Sequence, residues 1–222
     1  MSNILVVAAH PDDEVLGCGG SIARYADEGN TIGVLFLGDG VTSRPDTGLK
    51  QMEARKEQAR KVAKILGIKN VWFEGLHDNR FDAHPLLELV YRIEERINEI
   101  APVMIFTHSK ADVNIDHRRT FEAVLAAARP KPGSCVKALY SFEIPSSTDY
   151  AFGKLSPFVP NLFIDITTTL DKKLAALRCY QDELCQFPHP RSEVAVSSLA
   201  ELRGSSVGIE AAEAFELVYG VV

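Results

Sequence analysis

The feature that most constrains this chain is a short apolar run, Ile4-Leu-Val-Val-Ala-Ala9, that stops abruptly at His10-Pro11-Asp12-Asp13-Glu14. Such a run is strand length, and its lack of polar alternation suits a strand buried on both faces, as in a parallel sheet. Pro11 fits the loop leaving that strand. Gly17, Gly19 and Gly20 come next, and a helix is expected from Ser21 to Ala26. His10, Asp12, Asp13 and Glu14 are thus crowded at the carboxyl end of a buried strand, where open α/β sheets bind their ligands.

The rest of the chain alternates strand and helix. Thr31 to Leu37 reads as a second strand, closed by Gly38-Asp39-Gly40 and followed by a polar loop from Val41 to Gly48. Met52, Ala59, Val62, Ala63 and Leu66 recur at helical spacing until Gly67 stops the helix. Arg55 shares the stripe of Ala59, Val62 and Leu66, so its guanidinium either finds a partner in the site or reaches water over a packed stem. Asn70 to Phe73 is a weak third strand, and Gly75 to Asp82 a loop of mixed charge. A helix carrying Leu86, Leu89, Val90, Ile93, Ile97 and Ile100 ends before Pro102.

Val103 to Thr107 is the fourth strand, with His108 at its exit, and the next helix turns His117, Phe121, Val124 and Ala128 inward. Val136 to Ile144 is another strand. The loop from Pro145 to Asn161, with three prolines and Tyr150, Phe152 and Phe158, reads as a lid over residues 145–161. Leu162 to Ile166 is a last strand, and Thr168-x-x-Asp171 is a capping signal for a further helix. Glu193 to Arg203 and Glu210 to Tyr219 read as two short helices, so that 168–222 is expected to be a helical C-terminal portion of a single layered α/β domain spanning 1–222.

Composition excludes several functions. A net charge of −6 gives no basic footprint for nucleic acid, and no run approaches the ~18 apolar residues of a membrane span. The first apolar run is short, lacks a basic flank and ends in charge, unlike a secretory signal. Cys18, Cys135, Cys179 and Cys185 form no C-x-x-C pair, which reads as reduced thiols in a cytoplasmic protein. Oligomeric state is open, and a homo-oligomer is compatible with the sequence.

The chemistry lies in His10 and Asp13, three residues apart at a turn and able to share one ion. Two imidazoles and a carboxylate are a common protein set for catalytic zinc, and His117 is the natural third ligand. Asp116 beside it can hydrogen-bond a pocket group. Asp12 is placed to take a proton from a metal-activated water. There is no H-E-x-x-H, which excludes the helical metalloprotease arrangement.

Ala9-His10-Pro11-Asp12-Asp13-Glu14 resembles the signature of the PIG-L/LmbE-like metal-dependent N-acetylglucosaminyl deacetylases, and Asn114-Ile115-Asp116-His117-Arg118 resembles that family's second metal motif. Arg55 with Glu57, Asp78, and the stretch from Arg203-Gly204 to Phe215 are further echoes, so the likeness spans nearly the whole chain. The resemblance implies a Rossmann-like, mostly parallel sheet flanked by helices with a C-terminal elaboration. It also implies hydrolysis of the linear amide of an acetamido sugar, with Zn2+ or sometimes Fe2+. It assigns His10, Asp13 and His117 as metal ligands and Asp12 as general base, with Arg55 and Asp78 contacting a small-molecule amino-sugar substrate.

Asn114, also a substrate-binding candidate, stands where many relatives carry a histidine associated with protonating the leaving amine. Asparagine cannot supply that proton, which leaves Asp12 itself, His108 or His189 as the acid. Arg191 is a candidate for binding an anionic part of the substrate.

Two other classes compete. A nucleotide-binding oxidoreductase is suggested by Gly17-x-Gly19 after a buried strand, but Ile22 stands where the third glycine belongs. A non-catalytic metal or sugar binder would use the same ligands without turnover.

Overall fold

The first apolar run forms β1 (Asn3–Ala8) in the computed structural model, which describes residues 1–45, 47–153 and 156–221. Asp46 of the polar loop, Lys154 and Leu155 of the expected lid, and Val222 lie outside the described residues. Alternate side chains of the run enter opposite cores: Ile4, Val6 and Ala8 pack on one face, Leu5, Val7 and Ala9 on the other. A strand covered on both sides needs no polar alternation, which is why the run reads as continuous apolar sequence.

The other strands are β2 (Thr31–Gly38), β3 (Asn70–Leu76), β4 (Met104–His108), β5 (Ala138–Phe142), β6 (Leu162–Asp165) and β7 (Ala212–Gly220). Among the described residues they form one sheet in the order β3-β2-β1-β4-β5-β7-β6. β1 through β5 are parallel, whereas β7 runs antiparallel to both β5 and β6. The helices are α1 (Asp13–Asp27), α2 (Leu49–Leu66), α3 (Leu86–Ile100), α4 (Ile115–Ala127), α5 (Leu170–Leu177) and α6 (Glu193–Ser205). α1, α2, α5 and α6 cover one face of the sheet, and α3 and α4 the other. The α/β class, the mostly parallel sheet and the flanking helices are as expected.

Three local expectations are corrected. Glu210 to Tyr219 is not a helix: its core is β7, whose Phe215 is fully buried and pairs with Phe142 and Leu162. Pairing on both sides outweighs the helical preference of Ala and Glu in that stretch. α1 begins at Asp13 rather than Ser21 and continues through the glycines, with a kink at Cys18. A Cβ on Gly17 would lie 2.3 Å from the Phe142 ring and one on Gly20 2.8 Å from Ile166, so those glycines permit close packing of helix on sheet. Finally, α5 is preceded by Thr169 rather than capped by Thr168, and the Thr169 hydroxyl donates to the Gly20 carbonyl at 2.8 Å.

No described helix is long and apolar enough to cross a membrane. The chain runs outward from β1 through β2 to β3, then returns to lay β4 on the other side of β1. The carboxyl ends of β1 and β4 therefore flank the point where strand order reverses, which is where open α/β sheets form ligand crevices.

Candidate metal centre and cleft

His10 leaves β1 and Asp13 opens α1, and the turn between them is closed by the His10 backbone N–H donating to Asp13 Oδ2 at 2.8 Å. His117 arrives from the first turn of α4, itself started by Asn114, whose Oδ1 accepts the Asp116 N–H at 2.8 Å. One ligand atom from each of His10, Asp13 and His117 lies within 4.8 Å of the others. All three residues are buried.

Asp13 Oδ1 is buried and has no hydrogen-bond partner among the described residues, while His117 Nε2 stands 3.4 Å from it. A bare carboxylate oxygen facing an imidazole nitrogen in a dry interior is costly unless a cation joins them. Two imidazoles and one carboxylate also suit zinc. The residues therefore fit the metal that the sequence implied.

Both imidazoles are oriented from behind. His117 Nδ1 lies 3.0 Å from Asp112 Oδ2, and Asp112 also accepts from the hydroxyls of Ser147 and Thr148. His10 Nε2 lies 3.0 Å from Asp116 and 3.1 Å from Asp78. Asp116 is held in turn by the backbone N–H groups of Asn79 and Phe81. Burial works against charge on His10, but its hydrogen bonds to the Asp116, Asp13 and Asp78 carboxylates prevail and hold its pKa well above the ordinary histidine value. Burial likewise opposes ionisation of Asp13, yet His117 and His108 keep it well below the usual carboxylate range. The cluster is built to surround positive charge.

Asp12 sits at the wall of a cleft of about 160 Å³ lined also by His10, Arg44, Asp78, Asn114, Glu183 and Arg191. Burial pushes its carboxyl up to about 7, against the pull of Arg191, whose Nη1 is 3.1 Å from Asp12 Oδ2. Asp78 is instead drawn down to about 2: burial raises it, but the bond to His10 outweighs that effect.

Several candidates occupy places the sequence did not indicate. Arg55 does turn toward the site, but its Nη1 donates to the Pro11 carbonyl at 3.1 Å and its Nη2 is bonded to Glu183, and it is absent from the cleft lining. His108 lies behind Asp13, its Nε2 accepting the Ala9 N–H at 2.9 Å, and burial with the neighbouring His117 drives it down to about 4. His189 Nδ1 accepts the Arg191 backbone N–H, and this histidine is also off the cleft lining. Glu14 is fully buried, accepting from the Tyr180 hydroxyl and from the Asp12 N–H.

Asp112 and Glu183 were missed by sequence reasoning. Glu183 contacts Arg44, Arg55 and Arg191. The one signal for it was that Arg55, on an apolar stripe, needed an acidic partner.

The PIG-L family, described as GlcNAc-PI de-N-acetylase, matches residues 5–128, more than half of the chain. The chain belongs to the PIG-L family. The chain is similar to a 4-oxalmesaconate hydratase of Pseudomonas putida, 30% identical over 205 residues, covering 82% of this chain and 75% of that protein. A probable N-acetyl-alpha-D-glucosaminyl L-malate deacetylase 2 of Bacillus cereus is 26% identical over 191 residues, covering 82% of this chain and 83% of that one. The crystal structure of the conserved protein TT1542 from Thermus thermophilus superimposes with a TM-score of 0.80 at 25% identity, covering 100% of this chain and 97% of that one.

Proposed function

We propose that this PIG-L protein is a cytoplasmic, metal-dependent N-deacetylase that hydrolyses the acetamido group of a small amino-sugar compound. The observation that carries the reading is the buried cluster of His10, Asp13 and His117, in which Asp13 Oδ1 has no hydrogen-bond partner among the described residues and faces His117 Nε2 at 3.4 Å, beside a cleft walled by Asp12. The family description and the Bacillus cereus relative support the acetamido sugar as substrate class. His10, Asp13 and His117 would hold zinc, or ferrous iron through the same ligands. A divalent cation held there would supply Lewis acidity, making water more acidic and the amide carbonyl more electrophilic.

The chain's own groups handle the protons. Asp12 accepts one from the attacking water and delivers it to the amine nitrogen as the C–N bond breaks, a role typically worth ~10²–10⁴-fold in rate. A carboxyl held at about 7 suits both directions of transfer. Arg191 holds the Asp12 carboxylate in place. Asn114 spends its Oδ1 on the cap of α4, leaving its amide N–H groups to donate to substrate. It has no proton to give, and His108 has its Nε2 engaged by backbone. The second transfer therefore also falls to Asp12. Asp78 and Arg44 line the same cleft and would contact the sugar.

A second reading is water addition to an unsaturated carboxylic acid, favoured by the 30% identity to a hydratase. It would use the same carboxylate to deprotonate water. The test is acetate release from a panel of N-acetylglucosamine derivatives by zinc-loaded protein, beside chelated protein and Asp12→Ala. Release that disappears in both controls supports deacetylation. No release, with loss of ultraviolet absorbance from an unsaturated keto-tricarboxylic acid, favours the hydratase reading.

A further inference from the structure

Asp12 carries an unusual backbone, with φ 129° and ψ −28°. A non-glycine residue there is strained and persists only when its surroundings dictate it. The surroundings are specific. The peptide plane joining Pro11 to Asp12 is gripped at both poles: Arg55 Nη1 donates to its carbonyl at 3.1 Å, and its N–H donates to Glu14 Oε2 at 2.9 Å. Tyr180, beyond the end of α5, joins the two grips. Its hydroxyl donates to Glu14 Oε1 at 2.6 Å, and the Arg55 guanidinium lies over its ring at 5.7 Å. Glu14 and Tyr180 are fully buried and Arg55 nearly so, and none of the three lines the cleft.

We propose that Tyr180, acting through Glu14, is a positioning residue that fixes the Pro11–Asp12 peptide plane and thereby aims the Asp12 carboxylate. The dihedral φ relates that plane to the carbon bearing the side chain, so a plane held at both ends, with α1 starting at Asp13 on the other side, restricts where the carboxylate can point. Orientation errors of this kind are expensive, since a displacement of ~1 Å at a reacting group can cost ~10²-fold in rate. The proposal rests on the reading of Asp12 as the proton-transferring group.

Three variants test it. Tyr180→Phe keeps the ring beneath Arg55 and deletes only the hydroxyl. Glu14→Leu deletes both hydrogen bonds of the carboxylate, whereas Glu14→Gln keeps an acceptor for the Asp12 N–H and an amide that can donate to the Tyr180 oxygen. On zinc-loaded protein with an N-acetylglucosamine derivative, kcat is expected to fall about 10- to 100-fold in Tyr180→Phe and Glu14→Leu. KM and zinc stoichiometry stay unchanged, and Glu14→Gln recovers most of the rate.

In ¹⁵N-resolved NMR the Asp12 amide proton should move upfield in Glu14→Leu and stay in place in Glu14→Gln. A lowered Tm with kcat and the Asp12 amide unaltered would show that the contact merely ties α1 to α5, and would overturn the proposal. If the wild-type protein releases no acetate, the deacetylase reading fails on its own, and the amide shift still decides the positioning claim. Should Glu14→Leu not fold, Tyr180→Phe decides by the same readouts.

Discussion

His117 Nδ1 lies 3.0 Å from Asp112 Oδ2, in a pocket where both side chains are buried. That contact places the proton on Nδ1 and points the Nε2 lone pair at Asp13. Groups that orient an imidazole in this way typically contribute ~10–100-fold to metal affinity. Asp112→Asn is expected to weaken zinc binding by about that factor, measured by competition with a chromophoric chelator. Unchanged affinity would remove His117 from the ligand set.

Metal uptake should also release a proton. Hydrogen bonds to Asp116, Asp13 and Asp78 raise the His10 pKa well above its ordinary value despite burial, so the metal-free protein favours the protonated imidazole. A ligating imidazole must be neutral. Zinc affinity should therefore rise with pH across the neutral range, by up to about tenfold per pH unit for one proton displaced. Calorimetry in buffers of different ionisation enthalpy reads the proton directly. A heat independent of the buffer would exclude His10 as the residue that yields it.

The glycines after the motif serve packing. The Phe142 ring occupies the space where a Cβ on Gly17 would stand, at 2.3 Å. Gly17→Ala is expected to cost ~1–3 kcal/mol through displacement of that ring, seen in chemical denaturation as a lower midpoint with an unchanged slope. A stability equal to wild type would mean that α1 shifts freely on β5.

Much of this arrangement was legible because the signals were local. The β1 run, the inward face of α4 and the spacing of His10 and Asp13 each follow from periodicity within one element, and the structure joins them at one point. What was hidden depends on pairing across the chain. β7 looks helical by composition and becomes a strand only because β5 and β6 receive it. Asp112 sits in an irregular loop where no period marks its direction. Glu14 looks like ordinary helix N-terminal charge until Tyr180, 166 residues later, reaches it. Glu183 was implied by the charge of Arg55, but nothing in the sequence distinguished it from other acidic residues.

Arg191 offers a test of the proton carrier. Burial raises the Asp12 pKa and the nearby guanidinium of Arg191 lowers it. Removing that cation should raise the Asp12 pKa further and leave less carboxylate at a given pH. Arg191→Gln is therefore expected to shift the acid limb of the kcat/KM profile to higher pH, that limb reporting the free enzyme's base. A loss of rate with the limb unmoved would give Arg191 a role in substrate binding and none in tuning Asp12.

The conformation of Asp12 predicts an inversion of the usual ranking of alanine and glycine. Both Asp12→Ala and Asp12→Gly remove the same buried carboxylate, so the effect of losing it cancels in their comparison. What differs is the backbone, held at φ 129°. Alanine inherits the strain of that region, whereas glycine adopts it freely, although glycine loses more chain entropy on folding. With ~1–3 kcal/mol of strain against ~0.5–1 kcal/mol of entropy, Asp12→Gly should be more stable than Asp12→Ala by about 1 kcal/mol. Both variants should lack turnover and both should keep zinc. If alanine proves the more stable of the two, the Pro11–Asp12 peptide has relaxed once the carboxylate is gone. The grip of Arg55 and Glu14 would then be weaker than the distances indicate.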